Sequence, residues 1–419
     1  MGNRMHIIYI HQYFITPDQQ GGTRSYEMAR RLINAGHKVS MICSTSDLTG
    51  IQGQRGSVIQ SHIDGIDVYR IIEPYSNYMS FARRWIAFMR FARKALKVAK
   101  TLCEVDLVFA TSTPLTVGPL GRKAAKFHRC PFVFEVRDLW PERPITLGIL
   151  KSRILICYLR RMEYQSYHSA QHVITLAPRM TEGVVETNYP RERVTMIPNS
   201  CDLDLFIPQE NHAEIDHDPR FGRPGDFRLV HAGANGLVNG VGAALDAVAV
   251  LKCRGIAGIH FSFIGDGAQT PMLKKRCEDE GLNDCVSWVK PIPKNEIARI
   301  LPQMDVGMML CKDNPGIYDG TSPNKFFDYL ASGLPVLINY SGWLSEHLEQ
   351  YDAGITVPPE NAEAFADAVV SMMQQKEKTR QMAIHARKLA ENEFSRNILG
   401  EKFVDVLEKT ADQYRKRQG

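Results

Sequence analysis

The run at residues 319–337 places a lysine and two acids around the start of a short helix. Turn-forming residues lead to Lys325, and Asp328 lies in the opening turns of the helix. Gly333 and the apolar run after it predict that the helix ends and a buried strand begins. Helix N-terminal N–H groups beside a lysine bind diphosphates, and an acid about one turn further in can accept hydrogen bonds from ribose hydroxyls. The run therefore predicts a site for a nucleoside diphosphate.

These residues resemble the nucleotide-sugar site of retaining glycosyltransferases of the GT-B type, family 4. That family carries two glutamates separated by seven residues, of which the first faces the donor sugar and the second holds the ribose. Here Asp328 stands at the second position, and Asp319 lies nine residues upstream of it. The resemblance implies that Asn324 and Lys325 hold the diphosphate. An alternative stays open, in which Asp319 caps a turn and Asp328 is a solvated helix residue.

Glycine-rich turns follow the strands of the second half of the chain. The first, at residues 231–242, contains neither the arginine nor the lysine that family members often carry there, and the next helix begins near Ala243. Glycines at such a turn allow the backbone to approach a phosphate. The resemblance implies that the backbone at 289–292 reads a base edge, which weakly favours uracil. Ordinary turns remain the alternative. The candidate donor contacts in these turns are Asn235, Gly236, Gly265, Lys290 and Pro291.

In the first half, Gly22 and Arg24 lie between the first strand and the first helix, where a Gly-Gly pair fits under the donor sugar. Arg24 reaches the phosphate or the acceptor, or alternatively pairs with Glu27. The run at residues 135–142 (EVRDLWPE) lies at the C-terminal end of a strand, where open α/β sheets bind ligands. It resembles a subgroup that builds bacterial O-antigen and capsule chains, often with N-acetylated amino sugars. Arg137 and Asp138 are candidates for acceptor contacts, or alternatively pair with each other.

A basic segment at residues 81–100 contains seven Lys and Arg residues and no acid, interleaved with aromatic residues. A basic amphipathic helix of this kind is typical of a membrane-surface contact. At about 1 kcal/mol per cation near an anionic leaflet, seven cations suffice for docking. The alternative is a domain helix with a solvated basic face. No nucleic-acid-binding motif accompanies the segment. The candidate acceptor or membrane contacts are Arg83, Arg84, Trp85, Arg90 and Arg137.

Both halves alternate short β-branched runs with helix-length segments, which predicts parallel α/β domains. Strands are expected near residues 7, 39, 68, 107, 132 and 173, and again near 228, 260, 286, 306, 336 and 354. The resemblance implies the GT-B fold, with two Rossmann-like domains facing across a cleft. We assign residues 1–200 to an acceptor-binding domain and 201–394 to a nucleotide-sugar-binding domain. Residues 395–419 are expected to form a helix, which the resemblance implies crosses back to the first domain. The polar stretch 209–226 is expected to be a linker or surface loop.

Composition narrows the function further. The 419 residues carry a net charge of +5, but residues 1–200 hold 27 Lys and Arg against 15 Asp and Glu, a balance of +12. This asymmetry indicates an anionic partner for the first half. The nine cysteines form no Cys-x-x-Cys pair, no signal peptide is recognisable, and no Asp-x-Asp motif follows a strand. We therefore expect a cytoplasmic protein, peripheral on the inner face of the membrane, with no metal site.

The resulting hypothesis is a retaining, metal-independent hexosyltransferase. It moves a sugar, expected to be an N-acetylated amino sugar, from a UDP-sugar to a lipid-linked saccharide in bacterial surface polysaccharide synthesis. Asp319, Lys325, Asp138 and Arg24 are the candidate catalytic residues. Two alternatives remain: a nucleotide-sugar epimerase of the same fold, and a non-catalytic partner subunit that binds nucleotide sugar.

Overall fold

The computed structural model describes residues 4–19, 21–45, 58–73, 79–146, 148, 150–208 and 218–418. By its packing the chain divides into two compact units. Unit 1 comprises residues 1–16, 23–198 and 399–419, and unit 2 comprises residues 17–22 and 199–398. Most of the expected loop at 209–226 lies outside the described residues. Its described end holds a short 3-10 turn at Pro219–Phe221.

Unit 1 is built on an eight-stranded sheet, in which every neighbouring pair is parallel except β3 with β4. Its strands are β1 (His6–Ile10), β2 (Lys38–Thr45), β3 (Val58–Ile63), β4 (Ile66–Ile72), β5 (Leu107–Thr111), β6 (Phe132–Val136), β7 (His172–Thr175) and β8 (Val194–Met196). The spatial order is β3-β4-β2-β1-β5-β6-β7-β8. The strand order therefore reverses between β1 and β5, and in an open α/β sheet such a switch point is where ligands bind.

Helices connect the parallel strands of unit 1. They are α1 (Arg24–Asn34), α2 (Phe81–Ala99), α3 (Val117–His128), α4 (Glu142–Thr146), α5 (Arg153–Ser169) and α6 (Pro178–Val185). α1 shows why such segments become helices, since Met28, Ala29 and Leu32 recur at helical spacing and are completely buried against the sheet. The strands β1, β5 and β6 are buried along their whole length, as expected for a sheet covered on both faces.

Unit 2 is built on a six-stranded, entirely parallel sheet. Its strands are β9 (Phe227–Ala232), β10 (Ile259–Ile264), β11 (Val286–Val289), β12 (Val306–Met309), β13 (Val336–Ile338) and β14 (Gly354–Thr356). Their order, β11-β10-β9-β12-β13-β14, is the doubly wound order of a Rossmann domain. The switch point lies between β9 and β12, so the carboxyl ends of these two strands are the expected ligand edge.

The helices of unit 2 are α7 (Gly242–Cys253), α8 (Thr270–Asp279), α9 (Lys294–Ile300), α10 (Pro315–Tyr318), α11 (Asn324–Ala331), α12 (Trp343–Tyr351), α13 (Ala362–Gln374) and α14 (Lys376–Asn392). Leu245, Val248 and Leu251 of α7 pack with Phe365 and Val369 of α13 in one buried cluster against the sheet. This core fixes the strand ends from which the site loops emerge.

The last helix, α15 (Arg396–Lys416), belongs to the first unit from residue 399 onward. Phe403 packs edge-on against Phe109 of β5, with ring centroids 5.1 Å apart, and Leu407 is completely buried in the same cluster. Within the part of the chain that the structure describes, no helix is both long and apolar enough to span a bilayer.

Candidate functional site

The loop before α11 delivers Lys325 to the ligand edge of the unit 2 sheet. The helix begins after Pro323, and no side chain caps its N-terminus. At the other end, Gly333 adopts a φ of +68°, and the N–H of Leu334 donates to the Tyr329 carbonyl. This is the left-handed stop that glycine permits. The sequence-based expectation of a short helix between a turn-rich loop and a buried strand is confirmed.

Lys325 is a buried cation without a carboxylate partner among the described residues. Its residue is only 8% exposed, and its Nζ lies 3.3 Å from Nε2 of His231. A Cβ at Gly233 would lie 3.4 Å from the same Nζ. Burial lowers the pKa of Lys325 to about 7. An anion bound here would supply the missing counter-charge, so the arrangement suits a phosphate group.

His231, at the end of β9, is completely buried beneath this lysine. Burial, with a further contribution from Lys325, lowers the pKa of His231 well below its usual value. The imidazole is therefore neutral and can accept a hydrogen bond from the ammonium group. The sequence run containing His231 was recognised for its glycines, and nothing in the spacing pointed to this contact.

Two glycine turns pack backbone to backbone beside Lys325. Gly265 has a φ of +148°, and a Cβ there would collide with the Gly233 carbonyl. A Cβ at Gly267 would likewise collide with the backbone of Asn235. Asn235 is completely buried, and its side-chain amide donates to Thr270 at 3.1 Å. Asn235 therefore braces the two turns, and its contact with the donor stays a prediction.

The loop after Gly236 packs on the end of β12, because a Cβ at Gly240 would collide with the backbone of Cys311 and Lys312. α7 then begins at Gly242, close to the expected start at Ala243. Asn324 is the first residue of α11. The N-termini of these two helices follow the carboxyl ends of β9 and β12, the two strands at the switch point.

Asp328 lies one turn after Lys325 and is also largely buried. Its Oδ1 is 3.4 Å from Nζ of Lys294, at the start of α9, with side-chain exposures of 13% and 11%. Burial raises the pKa of Asp328, and the positive charges of Lys294 and Arg396 oppose this rise. The alternative interpretation, in which Asp328 is a solvated helix residue, is therefore wrong. Its lysine partner is far away in the sequence and was not foreseen.

Asp319 is exposed, and its Oδ1 accepts a hydrogen bond of 2.8 Å from the N–H of Trp343. It therefore caps the start of α12. The alternative interpretation of the sequence also made Asp319 a capping residue. It placed the cap at the local turn before Gly320, whereas the structure places it at the start of α12.

Lys290 and Pro291 follow β11 at the outer edge of the unit 2 sheet. Lys290 lines a cavity of about 600 Å³ together with Trp288, Ile292 and the 3-10 turn at Pro219–Phe221. The edge strand leaves this side of the sheet open, so the positions expected to read the base remain accessible.

In unit 1, Arg24 is buried and fully engaged by protein groups. Its Nε and Nη2 donate to Oε1 of Glu135 at 3.1 and 2.8 Å, and its Nη1 and Nη2 donate to the carbonyls of Pro198 and Ile197. The partner is thus Glu135 and not Glu27. The guanidinium ties α1, β6 and the end of β8 together, in contrast to the expectation that it reaches the donor or acceptor. Gly22 lies in the irregular segment just before α1.

The tip of β6 holds the other two candidates of this half. Arg137 Nη1 donates to Nε2 of His11 at 3.2 Å, and Nδ1 of His11 lies 2.6 Å from the Ser25 hydroxyl. Burial and Arg137 lower the pKa of His11, so its imidazole is neutral. Asp138 instead pairs with Arg143. The alternative in which Arg137 pairs with Asp138 is therefore wrong.

The basic segment forms α2, with its cations on an outer face. Arg83 and Arg90 are exposed, whereas Arg84 and Trp85 are half-buried. Nη1 of Arg90 lies 3.6 Å from the buried carboxylate of Glu73. Among the described residues, no group of three or more His, Cys, Asp and Glu side chains is arranged to hold a metal ion.

Two family descriptions match this chain. Residues 21–200 match the glycosyl transferase 4-like domain, and residues 226–375 match glycosyl transferases group 1. The two matched segments are thus similar to glycosyltransferase domains. The relative AmsK of Erwinia amylovora, an amylovoran biosynthesis glycosyltransferase, is 28% identical over 41% of this chain and 42% of its own length. The chain spans about half, or less, of the length of the curated relatives it matches.

Solved structures share the fold of this chain. Sucrose-phosphate synthase from Thermosynechococcus elongatus superposes with a TM-score of 0.73 at 17% identity, covering 97% of this chain and 99% of the other. Anabaena Alr3699/HepE, solved in complex with UDP and glucose, gives 0.72 at 16% identity, covering 96% and 99%. These likenesses confirm the expected fold class of two Rossmann-like α/β domains of the GT-B type.

Proposed function

We propose that this glycosyltransferase moves a sugar from a UDP-sugar to a lipid-linked saccharide, with retention of anomeric configuration, in bacterial surface polysaccharide synthesis. The proposed sugar is an N-acetylated amino sugar. The relative AmsK is named as an amylovoran biosynthesis glycosyltransferase, which supports a polysaccharide product. The complex of Alr3699/HepE with UDP and glucose supports a uridine donor for a protein of this fold.

The observation that carries the proposal is the buried Lys325, which has no carboxylate partner among the described residues and lies beside a glycine turn at the start of α11. Burial without a carboxylate is unfavourable for an ammonium group, so a site of this kind is best explained by an anionic ligand. Backbone N–H groups at helix starts add partial positive charge. Together they suit the two phosphates of a nucleotide sugar.

In the proposed reaction, the bond between the sugar and the diphosphate breaks as an acceptor hydroxyl attacks from the same face. Lys325 and backbone N–H groups stabilise the negative charge on the departing diphosphate. A leaving phosphate oxygen takes the proton of the hydroxyl. Asp319 is proposed to face the donor sugar and Asp328 the ribose, and Asp138 and Arg137 are proposed to contact the acceptor. The mechanism follows the family resemblance and is proposed to need no metal.

The acceptor side of the proposal concerns unit 1. A lipid-linked saccharide lies at a membrane surface, and the exposed arginines of α2 would attract an anionic leaflet. We therefore propose that the enzyme docks peripherally on the inner face of the cytoplasmic membrane.

The test begins with calorimetric titration of UDP, GDP and their sugars, followed by transfer assays with the donor that binds. We expect Lys325→Met and Asp328→Ala to abolish transfer while circular dichroism reports an intact fold. Lys275→Met is the matched control, because Lys275 is exposed and, among the described residues, pairs along its own helix with Asp279. Full activity of both site variants would exclude this site.

The same assays separate the two alternatives. An epimerase would convert a UDP-sugar without any acceptor. A non-catalytic subunit would bind the nucleotide and show no turnover with a lipid-linked acceptor.

A further inference from the structure

The first turns of α5 expose large apolar side chains that their own unit leaves uncovered. Ile154 is 85% exposed and Tyr158 is 49% exposed. The opposite face of the same helix is anchored, because Leu159 and Met162 are buried in a cluster to which Leu155 also packs. Residues four apart lie on one side of a helix. Ile154 and Tyr158 therefore form an outward apolar face on a well-fixed element.

This face adjoins α2. The ring centroids of Trp85 and Tyr158 are 6.4 Å apart, which brings the first halves of the two helices into contact. Ile86, the residue after Trp85, is 50% exposed. Single exposed apolar side chains are normal on protein surfaces, but Ile154 and Tyr158 share one helix face, and Ile86 follows the tryptophan that lies next to that face. Gathered exposure of this kind marks an interaction surface.

The surroundings of the face are cationic. The carboxylate of Glu142 lies 3.9 Å from Arg160, and the buried carboxylate of Glu73 lies 3.6 Å from Arg90. The exposed cations in the first halves of the two helices, or just before α5, are Arg83, Arg90, Lys151, Arg153, Arg160 and Arg161. An apolar centre with a basic surround is complementary to an anionic lipid bilayer, whose headgroups meet the cations while its acyl region accepts the apolar side chains.

We propose that the first two turns of α5 insert Ile154 and Tyr158 into an anionic bilayer while α2 lies along the headgroups. A tyrosine suits this position because its ring is apolar and its hydroxyl remains in water. This inference rests on the proposed function, because that function supplies the membrane-bound acceptor. It adds that the inserting residues lie on α5 and not on the basic segment at residues 81–100.

A fluorescent probe can report the insertion directly. Cys157 is exposed on α5 between the two apolar residues, and Cys253, exposed on α7 of unit 2, is the matched control. Each labelled protein keeps one exposed cysteine. Cys103 is replaced by serine in both, Cys253 is replaced by serine in the protein labelled at Cys157, and Cys157 is replaced by serine in the control. On addition of phosphatidylglycerol–phosphatidylcholine vesicles, we expect the emission of a dye on Cys157 to shift to the blue. A dye on Cys253 should not respond.

The complementary variant is Ile154→Ser with Tyr158→Ser. We expect its affinity for the same vesicles to fall by at least about tenfold, as the loss of two buried apolar side chains implies. Met272→Ser on α8, which removes a side chain that is 59% exposed in unit 2, should bind as the unchanged protein does. Wild-type vesicle binding by the double variant, or a Cys157 dye that stays in water on the vesicle-bound protein, would overturn the inference. Binding of this surface to a protein and not to vesicles would overturn it as well.

UDP titration of the same variants keeps the two proposals apart. The double substitution lies in unit 1, whereas the residues that carry the proposed donor site belong to unit 2, so we expect unchanged UDP affinity. Failure of vesicle insertion with normal UDP binding contradicts only the inference on α5, whereas absence of UDP binding in the unchanged protein contradicts the proposed function.

Discussion

Binding of a UDP-sugar to the α11 site should take up a proton at neutral to alkaline pH. Burial lowers the pKa of Lys325 to about 7, so the ammonium form is lost as the pH rises through 7 in the free protein. A diphosphate favours that charged form and raises the pKa again. His231 is neutral over the same range because its pKa is well below the usual value. The proton therefore goes to Lys325.

The magnitude follows from these values. With a pKa of about 7, roughly one tenth of Lys325 is protonated at pH 8 in the free protein. A unit negative charge about 4 Å away contributes ~4 kcal/mol at an effective dielectric constant of about 20. This energy corresponds to a pKa rise of about three units. We therefore expect an uptake of ~0.9 proton per UDP-sugar at pH 8 and ~0.1 at pH 6. Affinity should fall about tenfold per pH unit between roughly pH 7.5 and 9.

Calorimetry in two buffers of different ionisation enthalpy measures this uptake, and neither buffer should be a phosphate, which would compete for the site. UDP-glucose and UDP-N-acetylglucosamine are suitable probes because their diphosphates carry no terminal phosphate with a pKa near ~6. Lys325→Met should bind more weakly and show no buffer dependence, and Lys275→Met should behave as the unchanged protein. Affinity and uptake that stay constant between pH 6 and 9 would refute the assignment of Lys325 to the diphosphate.

Three further substitutions test individual contacts. Arg24→Ala leaves the carboxylate of Glu135 buried without its arginine partner. We expect urea denaturation to show a free energy of unfolding that is lower by about 3–5 kcal/mol. A loss below about 1 kcal/mol would contradict the buried pair. Asp319→Ala removes the cap of α12 and should lower the free energy of unfolding by about 1 kcal/mol. We also expect kcat to fall at least tenfold. A loss of stability with unchanged kcat would limit Asp319 to capping. Gly265→Ala should lower both thermal stability and UDP affinity, because a Cβ there collides with the Gly233 carbonyl, and an unchanged melting temperature would argue against the packed turns.

The alternation of strands and helices was predictable because each element of these sheets carries its own signal. All six strands expected in the second half are present, since buried parallel strands are short, continuous apolar runs. β3, by contrast, was not predicted. Its residues alternate between half-buried and exposed, and it pairs antiparallel at the edge of its sheet, so it lacks the apolar run by which the others were recognised. The basic segment at residues 81–100 was recognisable as a helix from its amphipathic pattern, and α2 ends at Ala99.

The individual contacts of the sites were less predictable than their positions. Lys325 was recognised because it lies at a turn that opens a helix, which is a local pattern. Its contact with His231 spans 94 residues, and the Arg24–Glu135 pair spans 111. Such contacts depend on strand order, which brings the ends of β9 and β12, or of β1 and β6, to the same edge of a sheet. A single sequence contains no local signal for them.

Because the chain lacks the arginine and lysine that family members often carry after β9, Lys325 is expected to provide more of the positive charge that neutralises the diphosphate. In family members those two cations share the neutralisation of the diphosphate, whereas this chain has glycine turns and His231 in their place. A single ammonium group can compensate in part if it is buried, because its attraction to an anion grows as the surrounding dielectric constant falls. The same burial disfavours its own charge and lowers its pKa to about 7. If Lys325 binds the diphosphate as proposed, tight donor binding and a strong dependence on pH have one cause, which is why the proton uptake of Lys325 tests the proposed donor site.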